Sequence, residues 1–499
     1  MISTFDIFIA FRSSLIKSLN SKQYEKALKS AFILDYIYTN YHINDNMYDD
    51  NIEILINELS IRLSSKHHDY IPRDNHFVFC DSLAWDNHGL TLQYLHALIS
   101  MRANILYLVT SETGYNNCKS IIEELKSYKN AKVLFLQKYC ISIKCIEEII
   151  HAIEDYRPVG IFLHSFSILD AIAVKSITSS TKYRINLGDH LFWSGIDSTD
   201  YVIEFREYGK QLSMRKRNIS SDKLLILPFY PIIDNNDFRG FPPLKPNSVI
   251  LFSGGATYKI VNEENTFLLL IKSLVEANPS LVVLLATRGD DSIIKQFILK
   301  NNISDRVIQI DYRKDISEVM KHSDLYLQTY PIGGGLMTQY AAVCGVPILS
   351  LLKVSTLNNI PHGNIESFFS PFTYRTYYDN VDDLLCEAKK LINDKIYRLE
   401  VGKLLKKCVI SPEQFNKSFQ SILYTRKSDN YYDNICAEEK EYTHKTADAY
   451  PKEVLHLISF LFSKLKFSLI TITPSITFSI FLCVLHDFAF FINKIKKHF

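Results

Sequence analysis

Residues 324–347 read DLYLQTYPIGGGLMTQYAAVCGVP. The apolar run at 324–329 predicts a short strand, Met337–Cys344 predicts a helix, and Gly345-Val346-Pro347 ends it before PILSLL (347–352) resumes as strand. Between strand and helix stand Gly333, Gly334 and Gly335. Glycine loses more conformational freedom on folding than any other residue, so three in a row imply a backbone that something must approach closely. At a helix N-terminus the amides point outward with the positive end of the helix dipole behind them, which suits a diphosphate. A merely flexible turn is the plainer alternative.

Working outward, the same alternation of short apolar runs and amphipathic helices fills most of the chain. SVILFS (248–253), LVVLLAT (281–287) and RVIQID (306–311) read as strands, with a helix at 265–279. Upstream, HFVFC (76–80), NILYLVTS (104–111), KVLFL (132–136), VGIFLHS (159–165), KYRINL (182–187) and DYVIEF (200–205) read likewise. Strands of this length separated by helices imply parallel sheets covered on both faces. The turn-rich, aperiodic stretch 229–243 is the expected linker. The fold class is therefore α/β, with two facing Rossmann-like domains at 71–235 and 236–425. Residues 1–70 read as a helical N-terminal region, and 426–499 as a polar connector followed by a hydrophobic, basic tail. Ligands of such sheets bind outside the carboxyl ends of their strands.

A net charge of +2 gives no basic face for nucleic acid. Nine scattered cysteines without a CxxC pair read as free thiols in a reducing compartment, and no metal site is expected. Asp6 interrupts the apolar start of the chain and no basic residues precede it, so a secretory signal is not read there, and a cytoplasmic setting is expected. Residues 467–485 carry no charge and are flanked by Lys464, Lys466, Lys494, Lys496 and Lys497. Three readings stand: an interfacial tail at the inner face of the cell membrane, a true span, or a helix buried on the protein itself.

Strand 248–253 leads into Gly254-Gly255-Ala256-Thr257-Tyr258-Lys259. Small residues after a strand let amides approach an anion, and Lys259 adds a full charge; a tight turn with an exposed lysine is the alternative. In the first domain Asp86-Asn87-His88-Gly89 and Gly188-Asp189-His190 each follow a strand. His88 and His190 are candidate general bases because imidazole titrates near neutrality, or else hydrogen-bonded loop residues. His164 reads as structural or substrate-lining.

At these residues the chain resembles the O-GlcNAc transferase-like glycosyltransferases of the GT-B fold, including their bacterial adhesin-modifying branch. CDSLAWDNHG (80–89), RINLGDHLFWSGIDSTDYVIEF (184–205), LPFYP (227–231), GGATYKI (254–260) and residues 324–351 carry the likeness, in order. The resemblance implies a metal-independent, inverting transfer of a hexosyl or N-acetylhexosaminyl group onto a hydroxyl or amide. The nucleotide-sugar donor, expected to be UDP-linked, is a substrate, and no cofactor is implied. It puts His88 near the acceptor, Lys259 on the donor phosphates and Gly333–Thr338 at the pyrophosphate. Arg313, in Asp311-Tyr312-Arg313-Lys314, is expected near the base. The family carries a ribose-binding carboxylate in the helix after the glycine loop. Here that helix reads Thr338-Gln339-Tyr340-Ala341, leaving Gln339 to bond a ribose hydroxyl.

The expected role is synthesis of a bacterial surface glycan, with a glycan, lipid-linked or protein acceptor. A nucleotide-sugar epimerase would need acid and base residues paired across the same cleft, and no such carboxylate pair is evident. A non-catalytic sugar-nucleotide binding module is the third reading.

Overall fold

The computed structural model describes residues 2–41, 47–66, 69–86, 89–111, 114–136, 140–189, 191–233, 236–351, 374–429, 451–465, 468–474, 476–477 and 479–480. The chain divides into two compact units: Met1–Glu204 with Gly209–Leu225 and Thr443–Phe499, and Phe205–Tyr208 with Ile226–Tyr442.

The first unit is built on seven strands: β1 (Arg73–Asp81), β2 (Asn104–Val109), β3 (Ala131–Phe135), β4 (Pro158–His164), β5 (Thr181–Ile185), β6 (Tyr201–Glu204) and β7 (Leu224–Ile226). Their order is β3-β2-β1-β4-β5-β6-β7, and β1 pairs in parallel with both β2 and β4. Val78 and Phe79, Leu106 and Tyr107, and Ile161 and Phe162 are buried on successive positions of their strands, as expected where helices cover both faces. The strand order reverses between β1 and β4. That switch point, outside the carboxyl ends of Asp81 and His164, is where open α/β sheets hold ligands.

Three N-terminal helices, Thr4–Asn20, Tyr24–Tyr41 and Asp50–Ser64, share this unit's core. The first is started by a capping box in which Ser3 and Asp6 satisfy each other's backbone. Leu55, Leu59 and Leu63 of the third helix lie in one apolar cluster with Ile168 and Ile172 of the helix Ile168–Ser176. The C-terminal helix Pro451–Leu465 buries Val454, Leu457, Ile458, Leu461 and Leu465 at helical spacing in that cluster, and Phe460 stacks on Tyr36. Beyond it Leu469, Ile472 and Ile480 are also buried there, and Lys29 donates to Ser468 Oγ at 3.2 Å. These residues support the reading of the tail as packed on the protein; Phe467 and 481–485 lie outside the described residues. Among the described residues no helix is long and apolar enough to cross a membrane.

Among its described residues the second unit has six strands: β8 (Val249–Ala256), β9 (Leu281–Arg288), β10 (Val307–Ile310), β11 (Leu325–Leu327), β12 (Ile348–Leu351) and β13 (Tyr377–Tyr378). Their order, β10-β9-β8-β11-β12-β13, repeats the scheme, and the switch point falls between β8 and β11. Strand β8 runs three residues past the expected end because Gly254, Gly255 and Ala256 pair with Ala286, Thr287 and Arg288 of β9. The short strands β7 and β13 have no counterpart in the sequence reading, since runs of two or three residues carry no periodicity.

Candidate functional site

In the second unit the two predicted loops leave the same sheet edge, from strands that are hydrogen-bonded neighbours. Gly254 answers a packing demand: a Cβ there would lie 2.8 Å from the Ala286 carbonyl oxygen. Gly255 stands between the loops, where a Cβ would be 3.4 Å from Thr329 Cγ2 and 3.6 Å from Lys259 Cδ. Lys259 closes a short 3₁₀ turn, Thr257–Lys259, and is half-buried. Burial lowers its pKa, and among the described residues no carboxylate pairs with it. An ammonium in that setting favours an anion.

The glycine loop begins where Thr329 Oγ1 donates to the Ile332 carbonyl at 2.6 Å. Gly333 lies against the Gln328 amide, which a Cβ would overlap; Gln328 Oε1 in turn accepts from Ser350 Oγ at 2.9 Å. Gly334 faces open space, its Cβ position meeting only Met337 at 3.8 Å. It is the N-cap of the helix Gly335–Val343, and among the described residues no side-chain cap bonds the first-turn amides. Thr338 is buried and its hydroxyl donates back to the Gly335 carbonyl at 2.7 Å. Gln339 is buried with its Oε1 unpartnered. Arg313 is engaged within the protein. It makes a bidentate ion pair with Asp315, donates to the Gly240 carbonyl at 2.8 Å, and keeps the Asp315 carboxyl well below the usual aspartate range.

In the first unit His88 and His190, the two candidate bases, lie outside the described residues. Their surroundings are described. Asp81, at the end of β1, is fully buried and accepts from the Leu83 and Ala84 amides, Thr91 Oγ1, Tyr107 Oη and His164 Nδ1 at 2.8–3.2 Å. Burial pushes its carboxyl up, but the charge and hydrogen bond of His164 outweigh that, and the acid sits below its ordinary value. His164 thus proves structural on its Nδ1 side, while its Nε2 is buried without a partner. Beside them Asp170 accepts from Thr110 Oγ1 and Ser165 Oγ, and burial pushes its carboxyl up to about 7.

The loop after β5 is held as tightly. Arg217 is fully buried, lies 3.8 Å from the Trp193 ring centre, and donates to the carbonyls of Asp189 at 2.6 Å and Leu191 at 2.7 Å. Asn186 bridges Asp189 and Glu204. Asp81 had a faint sequence signal, an acid closing an apolar strand; Arg217, far along the chain just past the polar helix Glu207–Lys216, had none.

No model of a protein family matches the chain, and no curated protein matches it. Solved structures do. An O-GlcNAc transferase variant from Thermobaculum terrenum is 12% identical, with 84% of this chain and 81% of that chain covered and a TM-score of 0.50. A glycosyltransferase from Rickettsia africae is 13% identical over 71% of this chain and 98% of its own, with a TM-score of 0.51. Anabaena HepE, solved with UDP and glucose, is 13% identical over 70% and 99%, also with a TM-score of 0.51. The fold is that of the GT-B glycosyltransferases.

Proposed function

We propose that the chain is a glycosyltransferase taking its sugar from a nucleoside-diphosphate donor. One observation carries the reading: Lys259 and Thr329, where the glycine loop begins, meet beside Gly255 at the switch point of the second sheet, and that loop leads into the helix Gly335–Val343, whose N-cap is a glycine. As the bond between the anomeric carbon and the diphosphate oxygen breaks, the electron pair leaves with the diphosphate. Preorganised amides and an ammonium stabilise that charge where it develops. The acceptor oxygen forms the new bond to the anomeric carbon and its proton passes to a base, for which His88 and His190 remain the candidates.

A uridine donor is the choice favoured by HepE, whose similar fold was solved with UDP. With Arg313 held by Asp315, the base would be met by the exposed Tyr312 or by backbone, and on the resemblance alone Gln339 would take the part of the ribose-binding acid. Inversion at the anomeric carbon and independence of metal rest on the resemblance alone. Action at the cytoplasmic face of a membrane, in assembling a surface glycan, would rest on the lysines that flank the tail, since its Leu469, Ile472 and Ile480 are buried in the first unit's core.

The test is to incubate the full chain with UDP-glucose, UDP-galactose, UDP-N-acetylglucosamine and UDP-N-acetylgalactosamine and measure UDP release. At least one donor is expected to be turned over. No UDP binding and no release would remove the reading.

A further inference from the structure

The helix Thr4–Asn20 carries apolar side chains on opposite sides. Ile7, Phe11 and Leu15 are buried in the first unit's core, whereas Phe5 is 56% exposed and Ile9 and Ile16 are exposed with it. Spacings of four and seven residues put these three, with Arg12 between them, in one row along the helix. Single exposed apolar residues are ordinary, but a surface helix normally turns a polar face outward.

The tail packed beside it repeats the pattern. The helix Pro451–Leu465 touches Thr4–Asn20, and the helix Ser468–Ile472 touches Tyr24–Tyr41. Leu469 and Ile472 face the core, whereas Ile470 is 55% exposed and Phe462 is exposed as well. Between Lys466 and Asp487 the sequence holds no Asp, Glu, Lys or Arg, so the outward residues Ile470, Thr471 and Pro474 stand in a stretch without charge. Surfaces that meet only water are rich in charge. The surroundings are basic. Residues 7–34 carry Arg12, Lys17, Lys22, Lys26 and Lys29 against one acid, Glu25, whose Oε1 accepts from the Ile143 amide at 3.0 Å. Lys29 reaches Ser468 Oγ, so this basic stretch and the uncharged one adjoin.

We propose that the exposed sides of Thr4–Asn20 and of the tail form one docking face for an anionic lipid bilayer, lying in its headgroup layer rather than crossing it. The tail's inner residues are committed to the protein core, which leaves it no apolar circumference for a span. Phe5, Ile9, Ile16 and Ile470 give their apolar area to the boundary between headgroups and acyl chains, and the neighbouring lysines hold acidic headgroups. Charge selects the occupant: an acidic bilayer satisfies both the apolar row and the lysines beside it, whereas an apolar protein groove satisfies only the row. The face belongs to the first unit and does not depend on the donor reading.

The full chain would be floated with vesicles of phosphatidylcholine holding about one-third phosphatidylglycerol, and with phosphatidylcholine alone, at low and high salt. Ile9→Asp, Ile470→Asp, the double variant Lys22→Glu with Lys26→Glu, and Leu299→Asp, an exposed apolar position of the second unit, would be compared with it. The wild type is expected to bind the acidic vesicles about tenfold more tightly than the neutral ones or better, and to weaken as salt rises. Ile9→Asp, Ile470→Asp and the lysine double variant should each bind about tenfold more weakly, with Leu299→Asp unchanged. Urea midpoints read by tryptophan emission should be equal in all, because the altered side chains lie at the surface; where an aspartate lowers the midpoint, Ile9→Ser and Ile470→Ser are read in its place with the same expectation. Failure of the wild type to bind vesicles, the outcome for a surface that serves a protein partner, would overturn the proposal. So would equal binding to neutral and acidic vesicles, full binding by the Ile9 and Ile470 variants, or an equal loss in Leu299→Asp.

Discussion

Asp81 has no exposed surface and gathers donors from its own loop, from the helix Gly89–Ser100, from β2 and from β4. Removing such a hub leaves several buried polar groups without a partner at once, which is more harmful than losing a typical hydrogen bond. Asp81→Ala should therefore lower the unfolding free energy by about 3–5 kcal/mol. Urea unfolding followed by tryptophan emission reads the first unit alone, because Trp85 and Trp193 both lie in it. A loss below about 1 kcal/mol, the worth of an ordinary hydrogen bond, would show that the network is incidental. At this scale the sequence was partly legible. Lys259 and the glycines stood out because charge and missing side chains are visible as letters. Arg313 did not betray its bidentate bond to Asp315, because two residues' separation in sequence says nothing about side-chain geometry.

The strand–glycine–helix element spanning β11 to the helix Gly335–Val343 separates packing glycines from approach glycines. Gly333 is fixed by Gln328, whereas Gly334 is surrounded by space. Gly334→Ala should leave stability within about 1 kcal/mol, the usual difference between glycine and alanine at an N-cap, yet weaken UDP binding by crowding the amides. Gly333→Ala should destabilise the second unit by displacing Gln328 from Ser350. Thermal unfolding and calorimetry on both variants check this; equal effects of the two on UDP affinity and stability would erase the distinction. In the sequence the three glycines look alike. Only the neighbours that a Cβ would meet tell them apart. Gly254, read from the sequence as letting amides approach an anion, is required by the β9 backbone, since a Cβ there would lie 2.8 Å from the Ala286 carbonyl oxygen.

Across the whole molecule, the switch points fall beside Asp81 and His164 in the first sheet and beside Gly255 and the glycine loop in the second, and the alternation that builds these sheets was the most legible level. Alternating apolar runs and helices forecast eleven of the thirteen strands among the described residues, within a few residues of where they lie. Strand order was not written in any local pattern. Nor were the buried charges: Asp35, Glu53, Asp170 and Glu204, all in the first unit, have carboxyls pushed up to about 7, chiefly by burial. Folded-state values raised above the unfolded ones mean that the native state binds more protons between them. The stability these groups allow is thus fully present below the unfolded carboxylate range and is lost as pH rises toward about 7. The first unit should unfold at a higher urea concentration near pH 5.5 than near pH 8. A midpoint that rises over that interval would mean that these acids are ionised in pairs with Arg184 and Arg217 and lie in their ordinary range.

The central claim is that Lys259 and the amides after Gly334 grip one diphosphate. Calorimetric titration of the full chain with UDP, UMP and uridine, repeated on Lys259→Ala, tests it most directly. The wild type should bind UDP far more tightly than uridine, and Lys259→Ala should lose about 1.5–3 kcal/mol for UDP, the worth of a hydrogen bond to a charged group, with little change for uridine. Equal affinities for UDP and uridine, or a Lys259→Ala variant that binds UDP as the wild type does, would contradict it.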